Sequence, residues 1–262
     1  MKIKDVIVAL DGFAPLPLQE DYDNAGLQVG LTEAEVSGAL LCLDVTEDIV
    51  DEAIRRHCNL IVAHHPLIFR KLSHLTGATY VERTVVKAVK NDIVIVAMHT
   101  NLDNARGGVN HMMAEKMHLC DVRFLTPSRT IDGVEGASGV VGQLPEAMPA
   151  CDFIDMLKKT FGVVCVQTNE ELQRPIRSVA LCGGAGAFLL EDAIDSGADA
   201  FVTGEMHYHD FFGHEGEIQI AVIGHYQSEQ YTIELLRDII QRQCPEVRCL
   251  ATEINTNPIR YR

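Results

Sequence analysis

This chain contains no Cys-x-x-Cys pair, no apolar run of membrane-spanning length and no surplus of basic residues. The eight cysteines are scattered, and the closest two, Cys244 and Cys249, have four residues between them. That spacing argues against a zinc ribbon or a dithiol redox motif and for reduced thiols, most of them buried. The opening Met1-Lys2-Ile3-Lys4-Asp5 lacks the apolar core of a signal peptide. With no membrane-length segment either, the expectation is a cytoplasmic protein. Against 22 Lys and Arg stand 37 Asp and Glu, a formal net charge of -15 that repels phosphate backbones and anionic membrane surfaces. Neither nucleic acid nor a membrane is expected as a partner. A small nucleotide stays open as a ligand, because a bound divalent cation inverts the local potential.

What is present is an alternation of strands and helices in 262 residues with 47% apolar content, enough for one large α/β domain or two small ones. Ile3, Val6, Ile7, Leu10 and Phe13 share one face at helical spacing until Pro15 and Pro17. Ala39 to Val45 reads as a buried strand, Thr46 as an N-cap, Glu47 to His57 as a helix and Asn59 to Ala63 as a second strand, a unit that implies parallel pairing through a right-handed crossover. A helix near Tyr80 to Lys90, a strand from Ile93 to Met98 and a helix near Val109 to Met117 follow. After the turn-rich stretch beyond Pro127 come strands near Gly139 to Gln143, Val163 to Gln167, Val179 to Cys182, Ala200 to Thr203, Ile218 to Ile223 and Val247 to Thr252. The intervening helices fall near Cys151 to Thr160, Phe188 to Asp195 and Gln227 to Gln241.

The chain partly repeats itself. A shift of 140 positions aligns Cys42 with Cys182, Ala53 with Ala193 and Val62 with Val202, and lays His64-His65 on Gly204-Glu205. A shift of 126 aligns His99 and Asp103 with His225 and Glu229. The fold class expected is therefore α/β, in two similar halves with mostly parallel sheets and a metal site in the cleft between them. The first domain would hold residues 1–127 plus about 226–262, and the second about 128–225.

Ligands of parallel α/β sheets bind beyond the carboxyl ends of the strands. Four strands here end in metal-ligand residue types: His64-His65, His99 with Asp103, Glu205 with His207 and His209, and His225 with Glu229. Adjacent strand residues point to opposite sides, so the histidine pair could serve two neighbouring ions. His225 and Glu229 lie one helical turn apart and can share an ion. The candidate metal ligands are His64, His65, Asp103, His225 and Glu229, with Glu229 as the bridge. Without a thiolate, this set suits two divalent cations among Zn, Mn, Fe, Co and Ni. Five side chains leave coordination positions for water, which a divalent ion acidifies into a hydrolytic nucleophile. His99, Glu205, His207 and His209 are candidates for orienting ligands or moving protons. Gly183-Gly184-Ala185-Gly186 could cradle a phosphate, although it lacks the lysine of a P-loop, and a simple tight turn is the other reading.

The motifs Asp23 to Gly30 (DNAGLQVG), Ala63 to Pro66 (AHHP), His99 to Asp103 (HTNLD), Gly197 to Glu205 (GADAFVTGE) and Gly224 to Glu229 (GHYQSE) together resemble the NGG-one-interacting-factor-three-like family, also called GTP cyclohydrolase I type 2 homologues. The resemblance spans nearly the whole chain. It implies a two-part α/β fold, a dinuclear divalent site on the five ligands above, and a toroidal homohexamer. Tyr22 stands where the family usually has Trp, and the chain is too short for the middle domain inserted in some relatives. The family's name implies a metal-dependent hydrolase that opens the imidazole ring of GTP and releases formate. The alternatives are hydrolysis of a phosphoester or amide in another small molecule, and a non-catalytic metal-binding regulatory or assembly protein. No residue is assigned as the catalytic acid or base.

Overall fold

The computed structural model describes residues 1–260 and 262. Its strands are β1 (Gly26–Val29), β2 (Ala39–Cys42), β3 (Leu60–Ala63), β4 (Val94–Ala97), β5 (Cys120–Phe124), β6 (Arg129–Ile131), β7 (Val134–Gly136), β8 (Val140–Met148), β9 (Gln167–Thr168), β10 (Ile176–Cys182), β11 (Ala200–Thr203), β12 (Gln219–Val222) and β13 (Cys249–Ala251). The chain is mixed α/β and divides into two compact units. One holds residues 1–105, 131–134 and 232–260, and the other holds 106–130 and 135–231. The boundary expected near residue 127 falls inside the second unit's first segment, because β5 pairs with β8. Among the described residues no helix is long and apolar enough to cross a membrane.

The first unit is built on a five-stranded sheet of order β1-β4-β3-β2-β13, parallel except for β1. Every residue of β2, β3 and β4 is buried, which requires cover on both faces. Helices Glu47–Arg55 and Tyr80–Lys90 cover one face through Ile49, Ala53, Val85 and Ala88, against Leu40, Cys42, Ile61 and Ile95. Helix Thr232–Gln243 packs on β2 and against helix Ile3–Phe13, whose Ile3, Val6 and Leu10 are buried at the expected spacing. Thr46 caps its helix as expected, accepting from Ile49 N at 3.4 Å.

The second unit carries the order β5-β8-β10-β11-β12-β9, with a parallel centre of β10, β11 and β12 and antiparallel strands on either side. Alternate residues of its strands face two cores. Val179, Leu181 and Val202 pack with Phe153, Leu157 and Phe161 of helix Ala150–Phe161. Ala180, Phe201 and Ile220 pack with Leu190 and Ala193 of helix Leu190–Asp195.

The repeat in the sequence is a repeat in the sheets. Ala39–Cys42 pairs with Leu60–Ala63 in the register in which Val179–Cys182 pairs with Ala200–Thr203, all displaced by the same 140 positions. Leu60 sits opposite Val94 and Ala200 opposite Gln219, a displacement of 125 on the third strand. The motif displacement is 126, so the second unit has one additional residue before its histidine. Gly224 absorbs it at φ 97, a conformation a β-carbon disfavours.

Two expected elements differ. Val163 to Gln167 is a strand only at Gln167–Thr168, because β9 lies at the sheet edge and pairs with β12, and Val164 is exposed. The helix expected over Gln227 to Gln241 is two helices, His225–Glu229 and Thr232–Gln243.

Candidate metal centre

In the first unit the hydrogen-bond ladder continues past β3: His64 N donates to Cys42 O (3.2 Å) and His65 N to Leu43 O (2.9 Å). The imidazoles do not diverge as strand alternation predicts. Their ring centroids lie 4.8 Å apart, because regular strand geometry stops at Ala63 and the chain bends through both histidines into Pro66. His64 is wholly buried, and its Nδ1 donates to Met98 O at 2.8 Å. His65 Nδ1 donates to Asp44 Oδ1, also at 2.8 Å. Burial raises the Asp44 pKa, but the hydrogen bond and charge of His65, with the Thr256 hydroxyl, more than reverse this and hold the carboxylate below its ordinary range.

Asp103 stands on the short helix Thr100–Asn104 after β4, with Oδ1 3.7 Å from His64 Nε2. Two buried amides fix that helix: Asn101 Nδ2 donates to Ala14 O at 2.7 Å, and Asn104 Nδ2 to Leu18 O at 3.0 Å. His99 caps the cluster, its ring 5.4 Å from that of His64 and 5.5 Å from that of His65. Its Nδ1 donates to Asp23 Oδ1 at 2.7 Å, and Asp23 Oδ2 accepts from Thr100 N and from its hydroxyl. Burial pushes the Asp23 carboxyl up, while His99 and Thr100 together hold it below its usual range. The Asp23 to Gly30 motif thereby acquires roles. Asp23 holds residues 99 and 100, while Asn24 Nδ2 donates to Ile68 O (2.6 Å) and Gln28 Oε1 accepts from Ile68 N (3.1 Å), which ties down the loop after the histidine pair.

In the second unit His225 opens helix His225–Glu229 after β12. Its Nε2 lies 3.1 Å from Oε2 of the buried Glu229, and its Nδ1 lies 3.0 Å from Glu205 Oε1. Ser228 Oγ donates to His225 O at 2.7 Å and accepts from Gly184 N at 2.9 Å. A β-carbon on Gly204 would meet Gly184 O at 2.6 Å, Ser228 Oγ at 2.7 Å and His225 Cα at 2.9 Å, so only glycine lets these segments close together. The glycine loop is not a phosphate cradle. Gly183 N donates to Asn110 Oδ1, Gly184 N to Ser228 Oγ and Gly186 N to Thr203 Oγ1, which commits those amides to helix Val109–Lys116, helix His225–Glu229 and β11 in turn. Of the other candidates, Glu205 orients His225, whereas His207 caps the 3-10 helix Tyr208–Phe211 and His209 stacks near Tyr208.

The family profile for Duf34/NIF3 (NGG1p interacting factor 3) matches residues 1–258. The chain belongs to this family. Among its relatives, a "GTP cyclohydrolase 1 type 2 homolog" of Clostridium acetobutylicum is 30% identical over 268 residues, covering 100% of this chain and 99% of that protein. A protein of the same name from Clostridium perfringens is 32% identical, with 100% of both chains covered. The crystal structure of Staphylococcus aureus hypothetical protein SA1388 superposes with a TM-score of 0.89 at 30% identity, covering 100% of this chain and 99% of that one. The mixed α/β architecture is thus that of the NIF3 family.

Asp23 and Asp44, which accept from His99 and His65, lie outside the candidate ligand set. Asp44 follows β2, whose carboxyl end adjoins that of β3, so strand order alone brings it to His65. A carboxylate just past a strand neighbouring the histidine pair was the available signal.

Proposed function

We propose that His64, His65 and Glu229, with Asp103 and His225, hold a pair of divalent cations, and that the protein is a metal-dependent hydrolase of a nucleotide-like small molecule. The observation that carries this reading is the treatment of the three imidazoles. His64, His65 and His225 each have Nδ1 directed at a carbonyl or carboxylate, the arrangement that presents Nε2 to a metal and raises its basicity. Two buried or half-buried carboxylates supply the anionic charge that hard or borderline cations require. When bound, the cations supply Lewis acidity to water and to the substrate's electrophilic centre.

The chain's own groups do the rest. Asp44, Met98 O and Glu205 fix the ligand rings, and Asp23 fixes His99 with Nδ1 protonated, so that Nε2 is the acceptor for a substrate N–H or O–H. Ring opening of GTP with release of formate is the named candidate, taken from the relatives called GTP cyclohydrolase 1 type 2 homolog. A toroidal homohexamer is the assembly proposed with it, tested by gel filtration.

Incubation of metal-loaded protein with GTP, with formate as the readout, tests the reaction. Formate from wild type and none from His225→Ala is the result expected. Equal traces from both would remove GTP as substrate, and a panel of phosphodiesters and amides would follow. Two bound cations without turnover of any of these would identify a metal-binding regulatory protein.

A further inference from the structure

A cavity of about 710 Å3 opens in the second unit between the edge strand β9 and the loop that follows β11. Its size is that of small-molecule sites, far larger than a bare ion needs. Met206, Tyr208, Phe211 and Phe212 line one side, and Glu170 and Glu215 carry the charge. Tyr208 and Phe212 meet at 5.3 Å between centroids and 71° between planes, forming a corner of two aromatic rings. They are 73% and 57% exposed, a cost in uncovered apolar surface that a ligand would offset.

The opposite wall is rigid. Asn169 Oδ1 accepts from Ile220 N and Gln219 Nε2, both at 2.9 Å, while Asn169 Nδ2 donates to Ile218 O at 2.9 Å. Glu170, next in sequence, is thereby held at the cavity rim. Among the described residues neither Glu170 nor Glu215 enters an ion pair, and Glu215 accepts only a long 3.4 Å bond from Gly213 N. Among the described residues no Lys, Arg or His is in the lining of the cavity.

We infer that this cavity binds an organic cation of the quaternary or alkylated ammonium class. Aromatic faces attract a cation through the ring quadrupole, and a bulky, weakly hydrated ammonium gains most because it loses little hydration on entry. The two carboxylates add long-range attraction, and the overall charge of -15 favours the same sign of ligand. An anion finds no Lys or Arg in the lining, His209 packs on the Tyr208 and Phe212 rings at 5.2 and 6.1 Å between centroids, and a neutral apolar ligand would leave the carboxylates unused. None of the residues belongs to the proposed metal centre, so this inference stands or falls apart from it.

Calorimetric titration with choline and with its neutral isostere 3,3-dimethylbutan-1-ol tests the inference on the whole protein. Choline should bind at least about tenfold tighter than the alcohol, Phe212→Ala should weaken choline about threefold to thirtyfold, the span that a cation–π contact represents, and Glu215→Gln should weaken it by up to about fivefold, as the loss of an exposed ion pair does. Both side chains are solvent-exposed, and circular dichroism checks that the fold is retained. Equal binding of cation and alcohol, no binding of choline, or unchanged affinity in both variants would overturn the inference. So would a change of oligomeric state in Phe212→Ala without choline binding, which would assign the face to a second copy of the chain.

Discussion

Asp23, with a fully buried side chain, accepts a 2.7 Å hydrogen bond from His99 Nδ1, although 76 positions separate the two residues. The same carboxylate accepts from Thr100 N and Oγ1, so one buried anion fixes both the tautomer of His99 and the start of the helix that carries Asp103.

Asp23→Asn should therefore do more than remove a charge. An amide cannot accept from His99 and from both Thr100 donors at once, so either His99 changes tautomer or a Thr100 donor is left unmet. A stability loss of about 1–3 kcal/mol is expected from the unsatisfied buried group, measured by denaturant unfolding. A change in the His99 ring 15N shifts would show the tautomer exchange.

The partners of the imidazoles proposed as ligands should govern metal affinity without being ligands. Asp44→Asn and Glu205→Gln are each expected to weaken divalent metal binding about 10- to 100-fold, measured by competition against a chelator. An unchanged affinity in both would mean that the geometry of Nδ1 is immaterial.

Gly204→Ala introduces a methyl group 2.6 Å from Gly184 O and 2.9 Å from His225 Cα. Backbone must move, and His225 with it. Loss of metal from a protein that still melts cooperatively is expected, whereas Gly12→Ala, in helix Ile3–Phe13 where nothing lies within 4 Å of the added carbon, should leave metal binding intact.

His111, on helix Val109–Lys116, has neither ring nitrogen hydrogen-bonded among the described residues and lies edge-on to Phe124, with the Arg106 guanidinium over the same ring. Burial, then the Arg106 charge, lowers its pKa from 6.5 to about 4, against a smaller opposing effect of Glu135. Between those values the unfolded chain takes up a proton that the folded ring refuses, so stability is full above 6.5 and falls as pH drops toward 4. The loss is about 1–2 kcal/mol once solvent screening of a partly exposed ring is allowed for. His111→Phe should remove this part of the slope in thermal midpoints measured from pH 7 to pH 4.

The sequence was most legible where burial is complete and periodic. Ile3, Val6 and Leu10 mark one helix face, and the short apolar runs of β2, β3 and β4, with that of β11 up to Thr203, read as strands covered on both sides. β5 escaped notice because four of its five residues are at least partly exposed and show no alternation. The strand-end histidines and carboxylates stood out as ligand types, but their support did not. Asp44 reaches His65 through the lateral order of strands, and Asp23 reaches His99 through a loop folded back over 76 positions, relationships that no local spacing encodes. The orientation of His64 and His65 also escaped it, since strand alternation no longer applies one residue past the end of β3.

The most direct measurement is anomalous diffraction from crystals of metal-replete protein, at the absorption edge of the metal found by elemental analysis. The account expects two peaks about 3.5–4 Å apart, with His64, His65, Asp103, His225 and Glu229 as their protein ligands. A single peak, or peaks held by other residues with these five side chains uncoordinated, would contradict it.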